Sequence, residues 1–420
     1  MKYSLPRGTR DVLPDETKNW QFIEKTAKKL FSLYNYIEIR TPIFEQSEIF
    51  EKSIGASTDI VEKEMYTFKD KSDRLLTLRP EGTAPIVRAY IQNALYKTYS
   101  PTKLYYCGPM FRYERPQAGR YRQFYQIGIE NIGNAHPFSD AEVISLGMKI
   151  FEKLGLTNLT VSINSVGCSV CRPVIEERIK QFIGANLKKF CPNCIRRFDE
   201  NPLRILDCKN KKCITYLSGL PDIRGSLCHE CADHFSSVLE SLDSLGIKFI
   251  INPTLVRGLD YYTKTAFEII SDRLGAQNAI CGGGRYDVLV EQMGGPPTAA
   301  VGFAFGMERV VMVLKELKMF KEQESNLVFM APLGTDQQIK CLQLADSLRL
   351  AGIKCDMSYS KTDLKSQLKI ANKLNAGYTV IYGEEEAQKN VVLIKNMKVR
   401  TQEEVPFKKV KEYFINENLL

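Results

Sequence analysis

Apolar residues recur at helical spacing near the start of the chain. Trp20, Ile23, Ala27, Leu30, Phe31 and Tyr34 alternate with charged residues, which predicts an amphipathic helix over 16–34. The helix runs into 36–44, YIEIRTPIF, an alternating strand that Pro42 interrupts as prolines do on sheet edges. A clearer two-residue period occupies 111–130, FRYERPQAGRYRQFYQIGIE. Side chains alternate along a strand, so Gln126, Gly128 and Glu130 face one way and Tyr125, Ile127 and Ile129 the other. Arg112 and Glu114 share a side of the preceding strand, and Arg115, Arg120 and Arg122 crowd a loop punctuated by Pro116 and Gly119. The pattern predicts a hairpin with one apolar and one polar face.

The texture changes between about 154 and 251, where cysteines and charges dominate, and an inserted domain is expected at about 168–250. From Asn326 onward apolar runs alternate with helical stretches: LVFMAPL, a helix over 337–350, IKCDMSY, a helix over 363–374, YTVIYG and VVLIKN. That rhythm predicts an open, largely parallel sheet. The expected organisation is a core over 1–325, interrupted by the insertion, and a second domain over 326–420.

Composition adds bounds rather than identity. The chain has 420 residues, 44% hydrophobic and 25% charged, enough for two to three domains with proper cores. Its net charge of +9 permits a polyanionic partner without demanding one. No signal-type apolar core opens the sequence, and no run of about 18 apolar residues occurs, so a soluble, cytoplasmic protein with no membrane association is expected. Eight cysteines fall between Cys168 and Cys231 as the pairs 168/171, 191/194, 208/213 and 228/231. Three pairs are C-x-x-C, which in a reducing compartment favours metal over disulfide. Structural zinc and isolated buried thiols both remain open for them.

Four further segments carry candidate chemistry. In 77–85, TLRPEGTAP, a Pro-Glu-Gly turn presents Glu81 and Thr83, an anion and an acceptor oxygen suited to an ammonium group. In 255–268, LVRGLDYYTKTAFE, Gly258 lifts Arg257 out of a loop and Tyr262 offers a phenolic hydroxyl. The three glycines of 281–287, CGGGRYD, imply close backbone approach, with Tyr286 beside them. In 301–314, VGFAFGMERVVMVL, a strand passes into a helix whose first turn holds Glu308 and Arg309. The three histidines, His136, His229 and His234, sit in none of these, which argues against a histidine base.

Taken together, 111–130 resembles the second signature motif of class II aminoacyl-tRNA synthetases in its histidyl form. The helix and strand over 16–44 resemble the first motif, which in the family builds a dimer interface, and 301–314 resembles the third. The resemblance implies an α+β catalytic core on an antiparallel sheet and a C-terminal α/β anticodon-binding domain. It implies that Glu81, Thr83 and Gln126 hold the α-amino group of L-histidine. Glu130 and Tyr262, with Tyr261 beside them, would grip the imidazole. By the same resemblance Arg112 and Arg257 neutralise the α-phosphate of ATP, Arg257 standing where related enzymes bind a metal, and Arg309 stacks on adenine. ATP with Mg2+, tRNA(His) and a homodimer follow as expectations, and Gln117 and Arg122 would approach the tRNA acceptor end, with Ala118 where a larger polar residue is common. A histidine-binding regulatory paralogue of ATP phosphoribosyltransferase is the alternative, disfavoured by the intact RGLDYY segment and the long C-terminal part. Another class II enzyme, such as the prolyl or threonyl one, is disfavoured by Glu130, Arg257 and Tyr262.

Overall fold

The computed structural model describes residues 3–55, 58–116, 119–271, 279–320, 325–360 and 363–417. Gln117 and Ala118 lie outside the described residues. The chain divides into two compact units, Met1–Phe320 and Lys321–Leu420.

The first unit is organised by an eight-stranded sheet. Its order is Ile37–Glu38, Thr102–Phe111, Gln123–Ile132, Ala300–Gly306, Ala279–Arg285, Thr263–Ser271, Leu159–Ser165 and Phe249–Ile251. The inner pairings are antiparallel, and only the short strands at the two edges join in parallel. The expected hairpin forms from Thr102–Phe111 and Gln123–Ile132, and its alternation has a physical outcome. Ile127 and Ile129 enter a core shared with Phe267, Ile269, Val301, Phe303 and Phe305, covered by the helices Pro14–Leu33, Pro137–Lys153 and Met307–Glu316. The first of these buries Trp20, Ile23, Ala27, Leu30 and Phe31, the stripe read from the sequence. Gly128 and Glu130 take the opposite face, as period two requires.

The cysteine-rich segment leaves the sheet after Leu159–Ser165 and builds short elements: Arg172–Gly184, Pro192–Glu200, Pro202–Ile205 and Lys211–Leu217. The helix that follows, His229–Ser244, returns to the main core through Phe235, Val238 and Leu242.

The second unit carries a five-stranded sheet in the order Cys355–Met357, Val328–Pro332, Tyr378–Tyr382, Val391–Asn396 and Gln402–Pro406. The expectation of a largely parallel sheet needs correction. The first three strands are parallel, but Val391–Asn396 and Gln402–Pro406 continue antiparallel. The connections there are too short for the crossover that parallel pairing needs. Lys365 and Lys369 stand exposed on the helix Leu364–Lys373.

Candidate active site

Strand register assembles the site. One row across the sheet reads Leu104, Glu130, Gly302, Gly284 and Ala266. The next reads Tyr106, Gly128, Ala304, Gly282 and Glu268, and a third aligns Gly108, Gln126 and Gly306. Rows made mostly of glycine and alanine leave a shallow floor from which a few polar side chains rise. The glycines are needed for close approach: a Cβ on Gly302 would meet Glu130 Oε2 at 2.1 Å, and one on Gly282 would meet a terminal nitrogen of Arg257 at 2.2 Å. The three-glycine run therefore lets the Arg257 guanidinium lie across the sheet.

Glu130 is the centre of the buried end, only 2% exposed. Its carboxylate accepts Thr83 Oγ1 at 2.7 Å and the Tyr286 hydroxyl. Burial pushes its pKa up to about 8, against the pull of those hydroxyls. Glu81, also buried, accepts the backbone N–H groups of Thr83 at 2.6 Å and Ala84 at 2.8 Å and so closes the start of the helix Thr83–Gln92. Burial raises its pKa too, opposed by those two donors. The rings of Tyr261 and Tyr262 lie 4.8 Å apart, and Tyr286 meets Tyr261 edge-on at 5.6 Å. Gln126 directs a buried Oε1 that has no hydrogen-bond partner among the described residues. An ammonium group would satisfy it.

The opposite end is cationic. Arg257 pairs with Glu268, and its Nε has no partner among the described residues. Arg309, at the start of the helix Met307–Glu316, also has a buried Nε without a partner among the described residues, and burial together with repulsion from Arg120 lowers its pKa. Arg112 donates from Nε to the Pro80 carbonyl at 2.8 Å, lies 5.4 Å from the Phe124 ring centroid and stands 3.8 Å from Glu114. Glu308 turns back to accept the Tyr125 backbone N–H at 3.0 Å, and burial pushes its pKa up to about 7.

The structure thus brings together Glu81, Thr83, Glu130, Tyr261 and Tyr262, and groups Arg257 and Arg309 around Glu268. Arg122 is occupied otherwise: its guanidinium stacks 3.7 Å from the Tyr113 ring centroid and its Nε reaches the Glu114 carbonyl at 3.4 Å. Sequence reasoning passed over Tyr106 and Glu268. Tyr106 sits opposite Gly128 in register, which its place in the hairpin could have suggested. It also passed over a buried lock in which Arg285, fully enclosed, binds Asp140, Ser139 Oγ at 2.9 Å and Asp287 at 3.0 Å. His234 adds a 3.4 Å contact to Asp140. Burial alone would raise the Asp140 pKa, but His234 and Arg285 hold it below its ordinary value. A surface groove of about 600 Å3 lined by residues such as Tyr34, Phe138 and Lys149 includes none of the side chains above.

A mixed sheet with a glycine floor, a buried carboxylate–hydroxyl pocket and an arginine face is the architecture of a class II aminoacyl-tRNA synthetase core. The histidyl-tRNA synthetase family profile matches residues 8–178 and 216–310, and the anticodon-binding domain profile matches 327–417. Proteins called histidine–tRNA ligase from Desulforamulus reducens and Moorella thermoacetica are 48% identical over 411 and 414 residues, 98% of each chain. The crystal structure of apo S. aureus histidyl-tRNA synthetase superposes with a TM-score of 0.84 at 39% identity, covering 98% of this chain and 99% of that one. The chain belongs to the histidyl-tRNA synthetase family.

Proposed function

We propose that this protein attaches L-histidine to tRNA(His) at the expense of ATP, passing through histidyl-adenylate. The carrying observation is Glu130, buried beside Thr83 and Tyr286 at one end of a glycine floor whose other end holds Arg257 and Arg309. Gln126 Oε1, Glu81 and Thr83 receive the α-ammonium group, and Glu130 with Tyr262 and Tyr261 engages the imidazole. Tyr286 joins them by holding Glu130. In the first step a carboxylate oxygen of histidine attacks the α-phosphorus, the α–β phosphoanhydride bond breaks and pyrophosphate leaves. Arg257 and Arg112 neutralise the charge that builds up, and Arg309 lies over the adenine. In the second step a hydroxyl of the terminal adenosine attacks the histidyl carbonyl and AMP leaves.

Mg2+ would neutralise phosphate charge. No three metal-capable side chains converge on the arginine face among the described residues, which suits an ion carried in by the triphosphate. Structural Zn2+ would sit apart from this chemistry, in the cysteine-rich segment.

No described helix is long and apolar enough to cross a membrane. A cytoplasmic setting is part of the proposal, since tRNA and ATP are met there. A homodimer is supported by Ile37, Ile43, Phe44, Phe68 and Leu75, which are 44–52% exposed in and near the segment resembling the first motif. Sedimentation showing a monomer at working concentration would remove it. The profile match over 327–417 and the end-to-end likeness to ligases favour this reading over a regulatory subunit. The decisive experiment is amino-acid-dependent ATP–pyrophosphate exchange across all twenty amino acids, followed by tRNA charging. Exchange with histidine alone is expected, and exchange driven by another amino acid would overturn the assignment.

A further inference from the structure

Among the described residues only two groups of three or more metal-capable side chains converge, and both consist of cysteine. One is Cys168, Cys171, Cys228 and Cys231; the other is Cys191, Cys194, Cys208 and Cys213. In each, the four sulfurs lie within 4.8 Å of one another. The pairs are nested: the outermost two build one site and the innermost two the other. In the outer site Cys168 Sγ is 3.7 Å from Cys171 Sγ and 3.9 Å from Cys228 Sγ, and in the inner site Cys191 and Cys208 are 3.8 Å apart.

These spacings discriminate among chemistries. Four sulfurs bonded at about 2.3 Å to a single tetrahedral ion stand about 3.8 Å apart. A disulfide needs about 2.05 Å, and an iron–sulfur cluster spreads its thiolates over separate irons. Each site also has backbone donors that orient sulfur: Cys228 N–H to Cys171 Sγ at 3.0 Å, Cys191 N–H to Cys213 Sγ at 3.3 Å and Asn210 N–H to Cys208 Sγ at 3.4 Å. Cys171, Cys194, Cys213 and Cys231 are buried and their four companions half-buried, a closed donor set of structural type.

What hangs from these sites is the segment that reads the amino acid. Arg172, directly after Cys171, donates to the carbonyl of Tyr262 at 2.7 Å and of Asp260 at 3.3 Å. Lys264 N–H reaches the Gly167 carbonyl, next to Cys168, at 2.8 Å. From the inner site, the turn Pro202–Ile205 lies between Cys194 and Cys208, and its Arg204 donates to the carbonyl of Arg257 at 3.0 Å. Both ends of 257–262 are therefore held by arginines from loops that the cysteines close. The inner loops contain helices of only nine and seven residues, which depend on tertiary contacts rather than on helix propensity. The family profile passes over 179–215, so the inner site lies where it has no counterpart in that profile.

We propose that each cysteine set holds one zinc ion, and that the two ions clamp the substrate-reading segment 257–262 through Arg172 and Arg204. The zinc content stands independently of the proposed function, whereas the coupling to the pocket rests on it.

The full-length protein, purified without chelator, is assayed by plasma mass spectrometry and by histidine-dependent pyrophosphate exchange. Two zinc ions per chain are expected. Cys191→Ser with Cys194→Ser should lose one ion and keep the other, and Cys168→Ser with Cys171→Ser should do the same for the outer site. Arg204→Ala should retain both ions yet raise the KM for histidine about tenfold while kcat moves less, which marks Arg204 as a positioning residue. Fewer than two zinc ions in the wild-type protein, iron with visible absorption, or loss of both ions from one paired variant would overturn the metal assignment. An unchanged histidine KM in Arg204→Ala would overturn the clamp. Failure of histidine to drive exchange in the wild-type protein would overturn the functional reading and leave the zinc count standing.

Discussion

Glu130 and Arg257 rise from the same glycine floor, but their surroundings differ in kind. Around Glu130 most groups satisfy one another: Thr83 and Tyr286 donate to it, Glu81 accepts two backbone amides nearby, three buried tyrosine rings line the pocket, and Gln126 Oε1 is left without a partner among the described residues. Around Arg257 and Arg309 capacity is left over, since both Nε atoms lack partners among the described residues, while Arg257 pairs with Glu268 and Arg112 stands near Glu114. A closed network discriminates, because a ligand that fails to complete it leaves buried polar groups unpaired. An under-satisfied cationic face suits charge that exists only during reaction. On the proposed reading, recognition and rate enhancement are separated along one sheet, and the substitutions below test that separation.

The largest effect is expected for Arg257→Ala. Exchange kcat should fall by about 10²–10³ while the KM for histidine stays within a few-fold, because the charge acts mainly in the transition state. Near-normal kcat would erase the difference between the two ends. Next comes Gly302→Ala, whose methyl group would enter both the Glu130 carboxylate and the Ile129 carbonyl, 2.3 Å from the added carbon. Chemical denaturation should report a loss of about 1–3 kcal/mol. Wild-type stability would mean the floor is looser than the register implies.

Glu130→Gln should act in the opposite sense to Arg257→Ala. The KM for histidine is expected to rise about tenfold, the cost of about one imperfect buried hydrogen bond, with kcat affected less. Steady-state exchange kinetics decide it, and a pure kcat effect would place Glu130 with the reaction rather than with recognition. A separate effect is expected in unliganded stability. The folded pKa of Glu130, up at about 8, lies above its ordinary value of 4.5, so the folded chain holds a proton that the unfolded chain has lost. Its contribution is fully present below about pH 4.5 and is lost as pH rises through about 8, with a slope of up to about 1.4 kcal/mol per unit. Urea midpoints measured from pH 5 to 9 should show this decline, and Glu130→Gln should flatten it. An unchanged slope in that variant would assign the decline to other groups.

Local pattern carried much of the fold. The helix over 16–34, the hairpin and the strand-to-helix passage into Arg309 were legible because periodicity and turn residues act over a few positions. The antiparallel edge of the second unit was not legible, because a strand's direction depends on its neighbour and on connection length rather than on its own residues.

By itself the sequence determined which residues can do chemistry and which face of a strand they take: Glu130 with Gly128 and Gln126, Ile127 with Ile129. Only the tertiary structure decided what those faces meet. Gly302 comes against Glu130, Tyr286 donates to it and Gly282 lies under Arg257, all through strand register between segments far apart in the chain. The same holds for the cysteines, whose spacing gives four pairs but not their nesting. The physical reason is common to both cases. Alternation and turn propensity are properties of neighbouring residues, whereas register and ligand sharing are fixed by packing between distant ones.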